Sequence, residues 1–475
     1  MQADFLIYDV GSTYTKISVF GRVEEDIILL GRNQVPTTVE DILGGISSAG
    51  KILRAEGIDF SKDCITLATS SAAGGLRMVA MGYMPRVTAK AAKEVSMSAG
   101  ARVLEIVTHE DPPDYRVEIL KEIRPDIILL AGGTDGGDRD SLLENARLIA
   151  AARVEAVVIL AGNVEAQQEA EQLLTAAGIG VKRVANVMPT IHELSVAGAR
   201  EAIHEEFIQQ ISFAKGLSKL ADVVSDGVVL PTPGAILMAA ELLAAGTFQE
   251  EGIGDLVIVD IGGATTDIHS ILPSLEHLSA EERGLVVTNE KQPAYRTVEG
   301  NLGMRISACG IVETVGEAGV LAKLENDTTA QAEQLVAYTA YLEKNPAHIA
   351  SAGQEKSFDR ALAISAIEVA LKRHAGHLAT EYNPVMGISP GTPIGRDLRG
   401  VTTIIGVGGI FCHTSDKDCR DIIAKAMENR GISLLPENYQ LYIDDRYLLY
   451  GIGAMARKWP DMALRFARTY LGMAS

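Results

Sequence analysis

One pattern occurs twice, far apart in the chain. Asp9-Val10-Gly11-Ser12-Thr13-Tyr14-Thr15-Lys16 and Asp260-Ile261-Gly262-Gly263-Ala264-Thr265-Thr266-Asp267 both follow an apolar, β-branched run. Each run ends in an acid, turns through glycine into hydroxyl residues, and enters a second extended run. Extended runs joined by such a turn read as a β-hairpin. A chain that makes the same hairpin twice is expected to hold two related lobes, each opened by its own copy.

The flanking segments agree. Extended runs at 4–10, 15–21 and 26–35 precede a helix expected over 39–56 and a strand at 64–69, giving the order β-β-β-α-β. The order returns with strands at 255–261, 266–272 and near 294–298, helices across much of 305–380, and a strand at 401–406. A helix at 418–429, a strand at 440–443 and a last helix from about Tyr447 come after. Gly451, Gly453 and Ala454 in that last helix are small enough to permit close packing. Between the copies the pattern alternates: a helix at 88–100, strands at 102–107, 127–131 and 156–161, and helices at 141–152 and 164–177. Such βαβ units imply a parallel sheet. The expected division is a first lobe at 1–85, completed by 226–250 and 451–475, an inserted α/β region at 86–225, and a second lobe at 251–450.

Composition narrows the function. Of 475 residues, 47% are hydrophobic and only 5% aromatic, with 46 glycines, which favours α/β units with tight turns. The net charge of −19 argues against a non-specific nucleic-acid or anionic-membrane binder. The first ten residues carry Asp4 and Asp9 and no basic residue, so no signal peptide is expected. The weakly charged stretch 227–240 is short and broken by Pro231 and Pro233, so no membrane span is expected. Cys64, Cys309, Cys412 and Cys419 show neither a disulfide framework nor zinc spacing, which suits a reduced, cytoplasmic protein.

The chemistry of the hairpins is that of phosphate recognition. Gly11 and its neighbours Ser12 and Thr13 offer unhindered backbone N–H groups, and an acid such as Asp9 at a strand end suits a hydrated Mg2+. Lys16 can reach phosphate oxygens as a point charge. Asp260, Gly262, Gly263, Thr265 and Thr266 repeat the design. Each hairpin alone is also readable as an ordinary polar turn; the pair, gripping a phosphate chain from two sides, is more specific. Glycines at Gly406, Gly408 and Gly409, after a strand and before a helix, allow a ring or ribose to approach the backbone.

These residues carry a resemblance. Asp9, Gly11, Ser12 and Lys16 resemble the first phosphate motif of actin-like ATPases. Asp260, Gly262 and Thr266 resemble the second, and Gly408-Gly409 the adenosine motif, of that superfamily, which includes the 70-kDa heat-shock chaperones, sugar kinases and hydantoinases. Pro231-Thr232-Pro233-Gly234-Ala235 and Gly451-Ile452-Gly453-Ala454 resemble its two interlobe connections. Within the superfamily, the stretches Ser70–Met78, Leu130–Gly137 and Glu299–Arg305 are similar to the accessory proteins of adenosylcobalamin-dependent glutamate mutase. These are of the MutL/GlmL type, distinct from the mismatch-repair protein of that name. The resemblance implies two ribonuclease H-like lobes and binding of ATP or ADP with Mg2+, held by Asp9 and Asp260 through water. It also implies a chaperone-like ATPase that protects or reactivates an adenosylcobalamin-dependent mutase. A small-molecule kinase or ATP-coupled hydrolase of the same superfold, and a nucleotide-binding scaffold, are the alternatives.

One departure stands out. Members of the superfamily often place an acid or amide near the first connection to orient the attacking water or substrate hydroxyl, and 231–240 contains neither. Asp267 is a candidate catalytic residue, pointing either to the phosphates or, as a strand residue, to solvent. The run Gly132–Gly137 reads either as an anion-binding nest at a helix start or as a tight βα turn. His192, His204, His374 and His377 lack metal-ligand spacing, and the acids at 24–26 and 281–282 read as solvated loops.

Overall fold

The structure, a computed structural model, describes all residues except 1–2, 39–40, 61–63, 72–75, 85–90, 92–94, 96–100, 191–194, 197, 200, 204, 207–216, 273–292, 325–330, 352, 383–387 and 474–475. Three antiparallel strands open the chain: β1 (Phe5–Val10), β2 (Tyr14–Val23) and β3 (Asp26–Pro36). Every residue of β1 is buried, as its unbroken apolar run requires of a central strand covered on both faces. The helix α1 (Ile42–Ala55) starts at Asp41, whose side chain accepts from the Gly44 N–H, and buries Ile42, Ile46, Ala49 and Leu53. The strand β4 (Ile65–Ser70) then pairs parallel to β1, placing Thr69 opposite Asp9.

The chain next builds a second compact unit, Ala73–Ala214, with its own sheet and core. The strands β5 (Leu76–Gly82), β6 (Ala101–Thr108), β7 (Ile127–Leu130), β8 (Val157–Leu160) and β9 (Gly180–Arg183) are all parallel, in the order β6-β5-β7-β8-β9. The helices α2 (Pro113–Ile123), α3 (Asp140–Ala152) and α4 (Val164–Ala176) pack Leu120, Leu142, Ile149 and Leu174 onto Val79, Ile128, Leu130 and Val158. The alternating pattern is thus a parallel sheet. This unit begins ahead of residue 86 and ends before 225, because β5 lies inside its sheet between β6 and β7, with Met78 to Met81 fully buried. The helix expected at 88–100 lies largely outside the described residues.

Back in the first unit, which comprises Met1–Ala72 and Lys215–Ser475, β10 (Val229–Pro231) completes the first sheet beside β4. The helix α5 (Thr232–Ala245) leads to the second lobe. There β11 (Leu256–Ile261), β12 (Thr266–Ile271) and β13 (Ala294–Glu299) are antiparallel. After the long helix α6 (Gly353–His374) and a ribbon of β14 (His377–Leu378) and β15 (Pro393–Ile394), β16 (Thr403–Gly408) pairs parallel to β11, and β17 (Gln440–Ile443) parallel to β16. The sheets β3-β2-β1-β4-β10 and β13-β12-β11-β16-β17 therefore share one plan: three antiparallel strands, then two parallel strands on the other side of the first. That is the expected pair of ribonuclease H-like lobes, the actin-like ATPase fold.

A single core joins the lobes. Phe5, Ile7 and Phe20 of the first sheet and Leu256, Ile258, Ile405 and Val407 of the second pack with α5, α7 (Leu449–Ala456) and α8 (Pro460–Leu471). The expected last helix is two helices, because proline at 460 supplies no N–H to continue the first. Trp459 at the break lies edge-on to Phe5, with ring centroids 5.0 Å apart, and Phe466 edge-on to Phe20 at 5.2 Å. The small residues of α7 allow contact with α5: a Cβ on Gly453 would lie 1.7 Å from the Ala235 carbonyl oxygen. No helix among the described residues is long and apolar enough to cross a membrane.

Candidate functional site

The first hairpin closes with the Gly11 N–H donating to the Tyr14 carbonyl at 3.0 Å. A side chain at Gly11 has no room, since its Cβ would stand 2.7 Å from that carbonyl. The register puts Lys16 opposite Asp9, and Lys16 Nζ donates to Asp9 Oδ2 at 2.7 Å. Asp9 is wholly buried. Its other oxygen accepts from Thr69 Oγ1 at 2.8 Å and Thr232 Oγ1 at 2.7 Å. A buried carboxylate needs this saturation. Thr37 braces the turn from outside, donating its hydroxyl to the Gly11 carbonyl.

The second hairpin repeats the turn, with the Gly262 N–H donating to the Thr265 carbonyl at 2.8 Å, but its charges are arranged differently. The position facing Asp260 is Asp267 rather than a lysine. Asp267 is buried, not solvent-facing. Its Oδ1 accepts from Arg296 Nε at 2.9 Å and Nη2 at 2.5 Å, and its Oδ2 from Thr265 Oγ1 at 2.8 Å. Asp260 has no comparable partner: its Oδ1 is buried without any hydrogen bond. Burial, reinforced by Asp267, pushes the Asp260 carboxyl well above the usual carboxylate range, against the pull of Lys16 and Arg296. The hydroxyl of Thr266 donates to the Leu302 carbonyl at 2.6 Å, so Thr265 and Thr266 shape the hairpin with their side chains.

The stretch Glu299–Arg305 proves to be the backing of this hairpin. Met304 N–H donates to the Gly262 carbonyl, and the Arg305 and Ile306 N–H groups both donate to that of Gly263. Arg305 is fixed in turn by Asp359, with Nη2 to Oδ2 at 2.8 Å.

The two hairpins face each other. A Cβ on Gly263 would lie 2.5 Å from Thr13 Cγ2, so the turns meet at a residue without a side chain. Gly263→Val is expected to push the turns apart and to weaken the adenine-nucleotide binding that the resemblance implies by about 1–3 kcal/mol, the usual cost of overpacking. Thr13→Ser in the same chain removes the opposing methyl and should recover much of the loss. A titration of ADP with Mg2+ against the single and double variants measures both.

At the third glycine motif, Gly408 has φ +135° and its Cβ would overlap the Ile261 carbonyl, whereas Gly409 opens into free space. β11 and β16 thus approach closely at the end that carries the second hairpin. Tyr447 lies nearby, with a left-handed φ of 51° and its ring 4.3 Å from Lys16 Nζ. That turn is held by Asp444, whose carboxylate accepts from the Leu448 and Leu449 N–H groups and from the Tyr470 hydroxyl. Burial, then Asp260, Asp9, Asp444 and Asp267, push the Tyr447 hydroxyl well above its ordinary range.

Sequence reading did not single out Thr69, Arg296, Asp444 or Tyr447, which local pattern does not mark; sheet register and a late turn bring them in. Thr232 lay inside the flagged connection, and its hydroxyl reaches Asp9 where an acid or amide was sought. Of the histidines, His374 is buried between Thr297 and Ser270, while His192 and His204, like the acids at 281–282, lie outside the described residues. No group of three or more His, Cys, Asp or Glu that could hold a metal ion occurs among the described residues. A Mg2+ site needs none, since that ion takes one or two carboxylates with water and phosphate. The orphaned Asp260 oxygen fits such a cation.

A family model described as "MutL protein" matches residues 5–471. The curated Protein MutL of Clostridium tetanomorphum is 38% identical over 474 residues, covering 98% of this chain and 99% of that protein. Among solved structures, a glycerol dehydratase reactivase is 10% identical with a TM-score of 0.31, covering 90% of this chain and 95% of that one. A gluconate kinase from Lactobacillus acidophilus is 12% identical with a TM-score of 0.32, covering 100% and 90%. At these TM-scores neither likeness bears on function.

Proposed function

Because this chain belongs to the MutL family, we propose that it is an accessory ATPase that protects or reactivates an adenosylcobalamin-dependent mutase of the glutamate mutase type. The observation that carries the nucleotide part is the meeting of two like hairpins, with a saturated acid in one and an orphaned acid in the other. ATP would lie with its phosphates between the turns at Gly11–Thr13 and Gly262–Thr265, its adenosine against Gly408 and Gly409, and Lys16 on a phosphate oxygen. Mg2+ would be held by Asp260, with Asp9 acting through water because both of its oxygens are engaged. The ion supplies charge neutralisation of the phosphates.

With Asp267 committed to Arg296 and Thr265, its part in hydrolysis would be to hold Arg296 and the shape of the second hairpin. Thr232 offers a hydroxyl but no base, which favours slow turnover, as a switch acting on a partner requires. The switch works only if its ATP and ADP states bind the client with different affinity.

The first test is a thermal melt. Adenine nucleotide with Mg2+ at about 100 times its Kd should stabilise the fold by roughly 2.7 kcal/mol; no shift at millimolar concentrations removes the nucleotide reading. The second is to inactivate an adenosylcobalamin-dependent mutase, then add this protein, ATP, Mg2+ and fresh cofactor. Recovery should require ATP. Equal recovery without ATP rejects the switch. A phosphorylated small molecule formed in place of recovery would favour a kinase.

A further inference from the structure

The nucleotide reading leaves the glycine run of the second unit unused. Its strand order, β6-β5-β7-β8-β9, has one topological switch point, between β5 and β7, where successive connections leave in opposite directions. In open parallel sheets, ligands bind outside the carboxyl ends of the strands at such a point. The run Gly132–Gly137 emerges from β7 there, and the Ala131 N–H donates to the Met81 carbonyl of β5 at 2.9 Å.

Two observations give this edge a chemistry. The first is a fixed backbone floor, with the Cβ position of Gly133 closed by the Asp138 carbonyl. Gly132 has φ +138° and its Cβ position lies 3.6 Å from the Tyr83 nitrogen, while a Cβ on Gly162 would stand 2.7 Å from the Gly132 carbonyl oxygen. The loop is pinned from below by two buried asparagines. Asn163 Nδ2 donates to the Gly137 and Asp138 carbonyls, and Asn186 Nδ2 to the Gly133 carbonyl and Asp135 Oδ1. The second is an aromatic platform. Tyr83 is 44% exposed and Met84 52%. The Tyr83 ring lies 5.8 Å from that of His109 at 33°, and the His109 backbone N–H donates to the Gly82 carbonyl.

Charge decides between an anion and a neutral ring. Asp135, Asp138 and Asp140 lie in the loop and first turn of α3, with Arg139 the one cation of that stretch, itself facing Glu169. These acids oppose a phosphate. We propose that the carboxyl edge of the second unit binds a neutral planar heteroaromatic ring, stacked on Tyr83 over the Gly132–Gly133 backbone. The site is built from residues of that unit alone.

The test uses the full chain with ATP and Mg2+ present, and riboflavin as probe, followed by quenching of its fluorescence. Riboflavin should bind saturably. Tyr83→Ala, at an exposed position, should melt as the parent does yet bind roughly tenfold more weakly, as loss of one stacking contact implies. Tyr83→Phe should retain binding. FMN, the same ring with a phosphate, should bind more weakly than riboflavin, with the gap closing as salt rises. Absence of saturable riboflavin binding overturns the proposal. So does a Tyr83→Ala variant that binds like the parent, and tighter binding of FMN would indicate an anion nest instead.

Discussion

Asp260→Asn is expected to abolish the proposed ATP turnover while leaving the nucleotide-free fold as stable as the parent or more so. Removing one preorganised electrostatic group typically costs on the order of 100-fold or more in rate, and Asp260 Oδ1 is buried at the hairpin without a hydrogen bond. The stability half comes from the same atom. A buried carboxylate without a partner destabilises the fold in its charged form, and asparagine has no charged form. Burial raises the pKa of Asp260 in the fold, so the folded chain holds that proton more tightly than the unfolded chain. This contribution is complete below the unfolded carboxylate value of ~3.9 and is lost as pH rises through the raised folded value. The melting-temperature advantage of Asp260→Asn should therefore widen as pH climbs above ~4. A variant that hydrolyses ATP at the parent rate misplaces the second phosphate hairpin. One that folds poorly at neutral pH means that Asp260 has a structural partner.

The second large effect concerns α5 and α7. Gly453→Val places two methyl groups and a Cβ where the Ala235 carbonyl already stands, 1.7 Å from the Cβ position, with the Ala239 nitrogen at 3.1 Å. Backbone cannot rotate aside as a side chain can. Both helices must separate, opening the core that joins the two sheets. Overpacking costs ~1–3 kcal/mol where side chains yield, and more is expected here. Gly451→Ala is the control: its nearest neighbour is the Ile7 side chain, at 3.3 Å, so a small adjustment accommodates it. Urea unfolding should show a much lower midpoint for Gly453→Val and a near-parent one for Gly451→Ala. Equal midpoints would mean that the helices are not packed through Gly453.

Local chemistry explains what the sequence made legible. Apolar strands ending in an acid and glycine are short-range patterns, and so both hairpins, the strands of each lobe apart from the short β10 (Val229–Pro231), and the small residues of α7 were readable. What escaped depended on register and distance. Thr69 meets Asp9 only because β4 runs parallel to β1 in one alignment. Arg296 reaches Asp267 across a strand pair that closes over a long intervening stretch. The start of the second unit was misplaced because β5 comes after a glycine-rich stretch and joins a sheet whose other strands come later. Asp267 was readable as a strand residue, but only pairing with β13 shows which face it takes.

The packing of α7 and α8 also sets an order of events during synthesis. Phe5 and Phe20 find their ring partners in Trp459 and Phe466, which are made long after them. Ser18 likewise waits for the Tyr450 hydroxyl. The second unit has its own core, Val79 to Ile179 with Val181 packed against it. On the ribosome, the second unit has all its parts before the lobe that brackets it does. Until α7 and α8 are made, β1 and β2 are held by local pairing without the helices that pack on Phe5, Ile7 and Phe20. Contacts so distant in sequence form slowly.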